Sequence, residues 1–282
     1  MSNIKIFTDC VSDLSKELIE ENDIATIPFY VHFNDEIFKD GIELNQEELY
    51  KKVKKYNTLP KTSAPSPQDF INSFNPYVEE KKEIIYIGIS HKLSATMQNA
   101  IIAKNEFPNA NISLIDSCNL SSGIGLLALK ACDLRDEGLS GKQIVEKLSE
   151  LTPKIQTSFV VDTLEYLHKG GRCSALESFF GGILKIKPIL KVENGEIKLG
   201  KKARGKTDKV IDLMLEDVLK NKNNIDKKRA FITHSQGGEL VYYLKKQLEK
   251  NTDIENVYIT DASSVISSHC GPGTIGILYM EK

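Results

Sequence analysis

Short apolar runs alternate along this chain with segments of helical periodicity, and this alternation restricts the possible fold more than any other feature. The runs that predict strands in the first half are Ile4–Thr8, Ala25–Val31, Ile84–Ile89 and Ile112–Ile115. The segments that predict helices between them are Lys16–Glu21, Glu47–Tyr56, Gln68–Glu80, Thr96–Glu106 and Gly123–Glu137. Strands that alternate with helices are typical of an α/β protein with a mostly parallel sheet.

A boundary between two domains is predicted near residue 152. The capping box Ser140–Gln143 begins a short helix that ends at Thr152-Pro153. No strand follows the long helix Gly123–Glu137 directly, so we expect the first sheet to be complete at this point. We therefore predict an N-terminal α/β domain over residues 1–152 and a C-terminal α/β domain over residues 153–282, each with a sheet flanked by helices.

The second sheet is predicted to be mixed. An Asn-Gly pair at 194–195 separates the runs Lys187–Val192 and Glu196–Leu199, and this pair is the strongest short signal for an antiparallel hairpin. The other runs that predict strands in this half are Ile155–Val161, Ala230–Thr233, Val257–Thr260 and Thr274–Met280.

The composition excludes several classes of partner. The net charge is −2 and the pI is near 6.3, so the chain lacks the basic field that recruits nucleic acid. The first residues form no signal peptide, and no run reaches the roughly 18 apolar residues of a membrane span, so we expect a cytoplasmic protein. The five cysteines are scattered without a C-x-x-C pair, so we expect neither a disulfide framework nor a bound metal.

One segment, Gly200–Thr207, matches the P-loop expression G-x4-G-K-S/T of nucleotide-binding proteins. The preceding run, Glu196–Leu199, alternates polar and apolar residues, whereas the strand before a P-loop is central and continuously apolar. Three of the four residues between the glycines are cations, whereas a phosphate-cradling loop needs small residues and free backbone N–H groups. We expect an exposed basic turn that contacts a partner, and nucleotide-dependent phosphotransfer remains the alternative function.

Small polar residues follow three of the predicted strands. Thr8-Asp9 and Ser12 follow the first strand, Ser90–Ser94 follows the third, and Asp116-Ser117 follows the fourth. The carboxyl ends of the strands in an open parallel sheet line a ligand crevice. These residues therefore predict a site at one edge of the first sheet.

Two loops extend this predicted site. The segment Pro60–Pro67 is stiffened by three prolines, so its hydroxyls, among them Thr62 and Ser63, have defined positions. The segment Ser267–Thr274 places His269 in a turn rich in glycine and proline. Glycines allow a close approach of the backbone, so we predict that this histidine binds an anion.

With these motifs in place, the sequence resembles the DegV family of bacterial lipid-binding proteins, and specifically the substrate-binding subunits of fatty acid kinases. The resemblance runs from Thr8 to the last residue. The motifs that carry it are Thr8-Asp9-x-x-Ser12-Asp13-Leu14, Pro60-x-Thr62-Ser63-x-Pro65, Leu93-Ser94-x-Thr96-x-Gln98, Asp116-Ser117, Lys169-Gly170-Gly171-Arg172, Lys187-Pro188-Ile189-Leu190 and His269-x-Gly271-Pro272-Gly273. The sequence departs from the family pattern at Ala95 and Met97, which bears on the shape of the pocket.

The resemblance implies a two-domain protein that holds a long-chain fatty acid of the palmitate, stearate or oleate class and uses no other cofactor. The N-terminal domain would hold the acyl chain, and the C-terminal domain would close over the carboxyl group. The ligand-binding residues that the resemblance implies are Thr62, Ser63, Ser94, Arg172 and His269. Thr62, Ser94 and His269 would hydrogen-bond the carboxyl group, and Arg172 would support them.

The resemblance also implies that the protein is not itself an enzyme. A separate ATP-dependent fatty acid kinase subunit would phosphorylate the bound carboxylate, and the acyl phosphate would enter phospholipid synthesis. The basic residues Lys201, Lys202 and Arg204 would dock this kinase. An acyltransferase or a membrane surface would be a transient partner.

Two further functions stay open at this point. A serine hydrolase would pair Ser94 with His269, although Ser94 lacks the G-x-S-x-G elbow. A lipid carrier without a kinase partner would need only the acyl pocket.

Overall fold

The computed structural model describes residues 3–172 and 186–282, without the side chains of Ile186 and Arg204. The strands are β1 (Ile4–Asp9), β2 (Ile24–Ile27), β3 (Tyr30–Phe33), β4 (Glu36–Lys39), β5 (Lys61–Ser63), β6 (Glu83–Gly88), β7 (Ile112–Asp116), β8 (Ile155–Val160), β9 (Ile186–Glu193), β10 (Glu196–Arg204), β11 (Ile225–Ser235), β12 (Asn256–Asp261) and β13 (Thr274–Glu281). The helices are α1 (Lys16–Glu21), α2 (Gln46–Tyr56), α3 (Pro67–Glu79), α4 (Thr96–Asn105), α5 (Ser122–Asp136), α6 (Gly141–Leu151), α7 (Glu165–Lys169), α8 (Thr207–Lys220), α9 (Leu240–Asn251) and α10 (Ser264–Cys270). The predicted α/β fold is confirmed.

The first sheet is parallel, as predicted. Its strands are ordered β2-β1-β6-β7, and each neighbouring pair is parallel. Every residue of β1 is buried. Neighbouring residues of this strand join different apolar clusters, Ile6 on one face of the sheet and Phe7 on the other. Both faces of the sheet are therefore covered, as is typical of a parallel sheet.

The second sheet is mixed, as predicted, with the order β10-β9-β8-β13-β11-β12. Only β11 and β12 are parallel among the neighbouring pairs of the described strands. The strand β10 lies at one edge and pairs antiparallel with β9. Residues Gly200–Arg204 are thus part of an antiparallel edge strand, where a P-loop would need a loop after a central parallel strand. This geometry argues against nucleotide binding by that segment.

A third, small sheet was not predicted. Its strands are ordered β4-β3-β5, and both neighbouring pairs are antiparallel. The run Ala25–Val31, predicted as one strand, is divided into β2 and β3, which belong to different sheets. Pro28 lies between them and has no backbone N–H for a ladder. The proline-rich segment contributes β5, which pairs Thr62 with Val31 and holds it in a fixed register.

His269 lies in a helix, so the prediction of a loop at this position was wrong. Helix α10 begins after the cap Ser263 and ends at Cys270. Gly271, with φ of +80°, ends the helix, and His269 occupies the last turn. The residues that suggested a turn, Gly271, Pro272 and Gly273, follow the histidine and lie beyond the end of the helix.

Two buried carboxylates from the first part of the chain hold the N-terminus of α10. Asp40 accepts a hydrogen bond from the backbone N–H of Ser264 at 2.8 Å with one oxygen, and from that of Val265 at 3.0 Å with the other. Asp13 accepts from the backbone N–H of Ser263 at 2.9 Å. A helix leaves its first N–H groups without intrahelical partners, and here they are satisfied by residues more than 220 positions away.

The proposed division at residue 152 stays a prediction. The strands of the parallel sheet all precede this residue, and those of the mixed sheet all follow it. However, α5 packs against strands of both sheets. It is buried on almost every side, from Ser122 to Arg135, so the two sheets share this helix as part of their core.

Candidate functional site

One mainly apolar cavity contains all five of the predicted ligand-binding residues. It has an empty volume of about 540 Å³, including the part open to solvent. Its polar lining residues, apart from Cys270, are Thr62, Ser63, Ser94, Arg172 and His269. The remaining lining residues are Phe29, Ala64, Ile89, Leu93, Leu120, Leu167, Ile197, Val265 and Ile266. The structure therefore brings together polar groups that are separated by up to 207 positions in the sequence.

Thr62 and His269 form the polar centre of the cavity. The hydroxyl of Thr62 lies 2.8 Å from Nε2 of His269. Burial, followed by the positive charge of Arg172, lowers the pKa of His269 to about 4, so the ring is neutral at neutral pH.

The surroundings of the ring favour one tautomer. Nδ1 of His269 is buried and has no hydrogen-bond partner among the described residues. Orphaned buried N–H groups are rarer than under-satisfied acceptors, so we assign the proton to Nε2. Nε2 then donates to Thr62, and the proton of the Thr62 hydroxyl is available to a ligand.

The motif Lys169–Arg172 forms the wall beside His269. A side chain at Gly170 would place its Cβ 2.3 Å from Nδ1 of His269, so only glycine fits there without a shift. Gly171 has φ of +68° and turns the chain. Arg172 donates to the carbonyl of Gly170 at 2.7 Å and to that of Leu93 at 3.4 Å. The two glycines and the arginine of this motif thus each have a separate structural role at the cavity.

Ser94 lies between β6 and α4, as predicted for the carboxyl end of a strand. Its hydroxyl lies 2.6 Å from that of Thr96, and it accepts from the backbone N–H of Thr96 at 3.4 Å. Ser94 bonds Thr96, whereas His269 bonds Thr62, so the hydroxyl and the imidazole are not paired with each other as in a serine hydrolase.

Other polar residues at the strand ends are structural. Asp9 is buried and accepts from the hydroxyl of Tyr86 at 2.5 Å and from the backbone N–H of Ile89 at 2.7 Å. Burial raises the pKa of Asp9 to about 7. Asp116 accepts from the backbone N–H of Cys118 at 2.7 Å. These carboxylates fix the loops that follow β6 and β7, and neither lines the cavity.

The predicted docking residues lie on the edge strand β10, which also contributes Ile197 to the cavity. Lys201 forms an ion pair with Asp217. Lys202 is exposed. The side chain of Arg204 lies outside the described part of the structure. The basic strand is therefore close in the fold to the proposed ligand site, although its role in docking is untested.

His32 was missed at the sequence level, although its Nε2 lies 2.7 Å from the hydroxyl of Ser63. Its isolated position in a strand gives no signal of that contact. Most of the apolar lining residues, for example Leu120 and Ile266, were also missed, because an apolar residue at a cavity has the same sequence pattern as one in the core. Phe29 lines the cavity, for example, whereas the equally apolar Ile27 and Ile124 are core.

Neither a membrane-spanning helix nor a metal cluster is found in the described ranges. Helices there lack the combination of length and hydrophobicity that a bilayer crossing requires. The same residues contain no group of three or more His, Cys, Asp or Glu side chains arranged to hold a metal ion.

Comparison with known proteins gives full-length matches. A family model described as "Uncharacterised protein, DegV family" matches residues 3–282. A DegV domain-containing protein of Caldanaerobacter subterraneus is 34% identical over 284 residues, with 100% of both chains covered.

Two solved structures share the fold. One, from Thermus thermophilus, is described as "Fatty Acid Binding of a DegV family Protein"; it is 31% identical, with a TM-score of 0.90 and 100% of both chains covered. The other, from Eubacterium ventriosum, is described as a stearic acid-binding protein; it is 29% identical, with a TM-score of 0.87, and 99% of this chain and 98% of that chain are covered. From the family match and the full-length similarity, the chain belongs to the DegV family.

Proposed function

We propose that the protein binds one long-chain fatty acid of the palmitate, stearate or oleate class. The acyl tail lies in the N-terminal domain, residues 1–152, and the C-terminal domain, residues 153–282, closes over the carboxylate beside Thr62, Ser94 and His269. The observation that carries this proposal is the convergence of the five polar residues on one otherwise apolar cavity. The stearic acid bound by the relative from Eubacterium ventriosum supports the ligand class.

The energetics suit such a ligand. Burying one methylene group contributes roughly 0.8 kcal/mol, so a long tail contributes on the order of 10 kcal/mol before the ordering costs of binding are subtracted. A carboxylate cannot be buried unpaired without a large penalty. The hydroxyls of Thr62 and Ser94, together with the imidazole of His269, provide neutral groups to meet it.

We further propose that the protein presents this carboxylate to a separate ATP-dependent kinase in the cytoplasm and has no catalytic activity of its own. A carboxylate oxygen attacks the γ-phosphorus of ATP, a P–O bond forms, the bond to ADP breaks, and acyl phosphate is left for phospholipid synthesis. Neutral hydrogen-bond donors leave the carboxylate oxygens nucleophilic, whereas a bidentate ion pair with an arginine would reduce their nucleophilicity. Arg172 donates to two backbone carbonyls, which leaves it a supporting role. An acyltransferase or a membrane surface is the transient partner that receives the product.

Native mass spectrometry of the protein purified from cells tests the binding proposal directly. We expect a mass excess that extracts into solvent as a fatty acid of defined length. A ligand-free mass, with no uptake of added palmitate or oleate, would contradict the proposal.

Replacing Thr62 with valine should reduce palmitate affinity by about tenfold, because a hydrogen bond to a charged group contributes about 1.5 kcal/mol or more. Phosphoryl transfer by the kinase should fall further, because the carboxylate loses its orientation as well. Both are measured on the same sample, by calorimetry and by acyl phosphate formation. Thr58→Val, at an exposed position, is the control. Equal losses in the two assays would show that the hydroxyl acts only in binding.

Charge reversal at both Lys201 and Lys202 should weaken kinase docking while palmitate affinity stays at the wild-type value, because neither lysine lines the cavity. Charges at the rim of an interface act mainly on the association rate, so the apparent Michaelis constant of the kinase for the loaded protein should rise about tenfold. This constant should also depend more steeply on salt concentration in the wild type than in the variant. Lys154→Glu, outside strand β10, is the control. An unchanged Michaelis constant would rule out this docking surface.

A further inference from the structure

Two adjacent residues of strand β5, Thr62 and Ser63, line the cavity, and the hydroxyl of each contacts a different imidazole. Thr62 lies 2.8 Å from Nε2 of His269, and Ser63 lies 2.7 Å from Nε2 of His32. His269 reaches β5 from helix α10, whereas His32 reaches it from the neighbouring strand β3. His32 is half-buried and does not line the cavity, so any effect on a ligand passes through Ser63.

Each of these hydroxyls has a single proton, and the acceptor of that proton decides whether the hydroxyl can donate a hydrogen bond to a carboxylate. A serine hydroxyl has one proton to donate, whereas a carboxylate can only accept hydrogen bonds. If Ser63 donated to His32, it would direct only lone pairs at a carboxylate. If Nε2 of His32 donates instead, Ser63 keeps its proton for the ligand. Favourable contact between Ser63 and a carboxylate therefore requires the proton of a neutral His32 to be on Nε2.

The pairing of the strands makes this arrangement rigid. Ser63 lies opposite Tyr30 in the register of β3 and β5, and His32 lies opposite Lys61, two residues earlier on β5. The hydroxyl of Tyr30 in turn donates to Asp69 at 2.7 Å, at the start of α3. The backbone positions of Ser63 and His32 are thus fixed on both sides of their hydrogen bond.

We propose that His32 is a positioning residue, which donates from Nε2 to Ser63 and directs the hydroxyl proton of Ser63 at the bound carboxylate. Two imidazole–hydroxyl pairs then orient the head group, His269 with Thr62 in the cavity lining and His32 with Ser63, where His32 acts from outside the lining. This inference rests on the proposed fatty acid function, and it adds His32 to the residues that orient the head group.

The first test is the tautomer of His32 in the protein without added ligand. Long-range ¹H–¹⁵N correlation of the neutral ring distinguishes a protonated Nε2 from a protonated Nδ1. We expect the Nε2–H form. The Nδ1–H form would overturn the proposal, whether or not the protein binds a fatty acid.

The second test follows the carboxyl carbon of bound [1-¹³C]palmitate in variants of the pair. His32→Phe and Ser63→Ala should each shift this resonance and weaken binding by about tenfold, and the double variant should be no weaker than either single variant. His32→Gln, which retains an N–H donor, should restore most of the affinity. A purely structural link between the strands would lower the melting temperature of His32→Phe and leave the resonance and the affinity at their wild-type values, and this result would overturn the proposal.

The two tests separate the possible failures. If the wild-type protein takes up no fatty acid, the proposed function fails, and the nitrogen spectrum still decides which atom of His32 carries the proton. If the wild type binds palmitate but the two single variants have additive effects, the function stands and the role of His32 is wrong.

Discussion

Replacing Gly170 with alanine should weaken palmitate binding by about 100-fold, the loss expected when two hydrogen bonds to a buried head group are broken. The new Cβ would lie 2.3 Å from Nδ1 of His269 and 3.0 Å from the carbonyl oxygen of Tyr166. The imidazole would have to move, and its 2.8 Å contact with Thr62 would be lost. Calorimetric titration with palmitate measures the effect.

The neighbouring glycine gives a matched control for this variant. Gly170 has φ of −73°, which alanine adopts freely, so its substitution acts through the contacts of the new Cβ, the shortest of which is with His269, and not through backbone strain. Gly171 has φ of +68° and open space where a Cβ would be, so its substitution acts through the backbone alone. Gly171→Ala should lower the free energy of unfolding by about 1 kcal/mol and leave palmitate affinity near the wild-type value. Equal affinities for the two variants would show that the ring tolerates a methyl group.

Replacing Asp40 with alanine should lower the free energy of unfolding by about 3 kcal/mol, because two buried N–H groups at the start of α10 lose their acceptor. The same change should weaken palmitate binding, because α10 carries Val265, Ile266 and His269 to the cavity. Urea unfolding measures the first effect, and calorimetry below the melting temperature measures the second.

The N-cap of helix α2 provides a control for the loss of stability in Asp40→Ala. Asn45 accepts from the backbone N–H of Glu48 at 2.9 Å at the exposed start of α2. Asn45→Ala should cost about 1 kcal/mol of stability and leave palmitate affinity unchanged. If Asp40→Ala cost no more than this control, the two hydrogen bonds at α10 would not hold the helix.

Those parts of the fold that depend on local patterns could be predicted from the sequence. The parallel sheet follows from apolar runs separated by helical segments, and the cap at Ser140 marks a helix start correctly. The hairpin around Asn194-Gly195 follows from turn chemistry, with φ values of +51° and +80° at the two residues. In each case the residues that decide the structure are close together in the sequence.

The parts that depend on distant contacts could not be predicted. β5 forms inside a proline-rich segment because β3 offers it an antiparallel partner, and His269 is helical because Asp40 and Asp13 cap α10 from another part of the chain. The sequence gives no sign of the contact between His32 and Ser63, because a lone histidine in a strand has the same local pattern whether it is hydrogen-bonded or exposed to solvent. The five candidate ligand-binding residues were predicted through the resemblance, and the structure places all five at one cavity.

The polar centre of the cavity depends on contacts between remote parts of the chain, and this has a consequence for folding kinetics. Thr62 and His269 are 207 positions apart, and Asp40 and Ser264 are 224 apart. Chain entropy must be lost to close such long loops before these contacts can form. We therefore expect the contacts to form in a late step of folding. An intermediate with only the parallel sheet in place would lack both the imidazole of His269 and a capped α10. A fatty acid would therefore bind only after this step, and bound fatty acid would slow the local unfolding of α10. Hydrogen exchange of the Ser264 and Val265 amides should then report on the opening that releases the ligand.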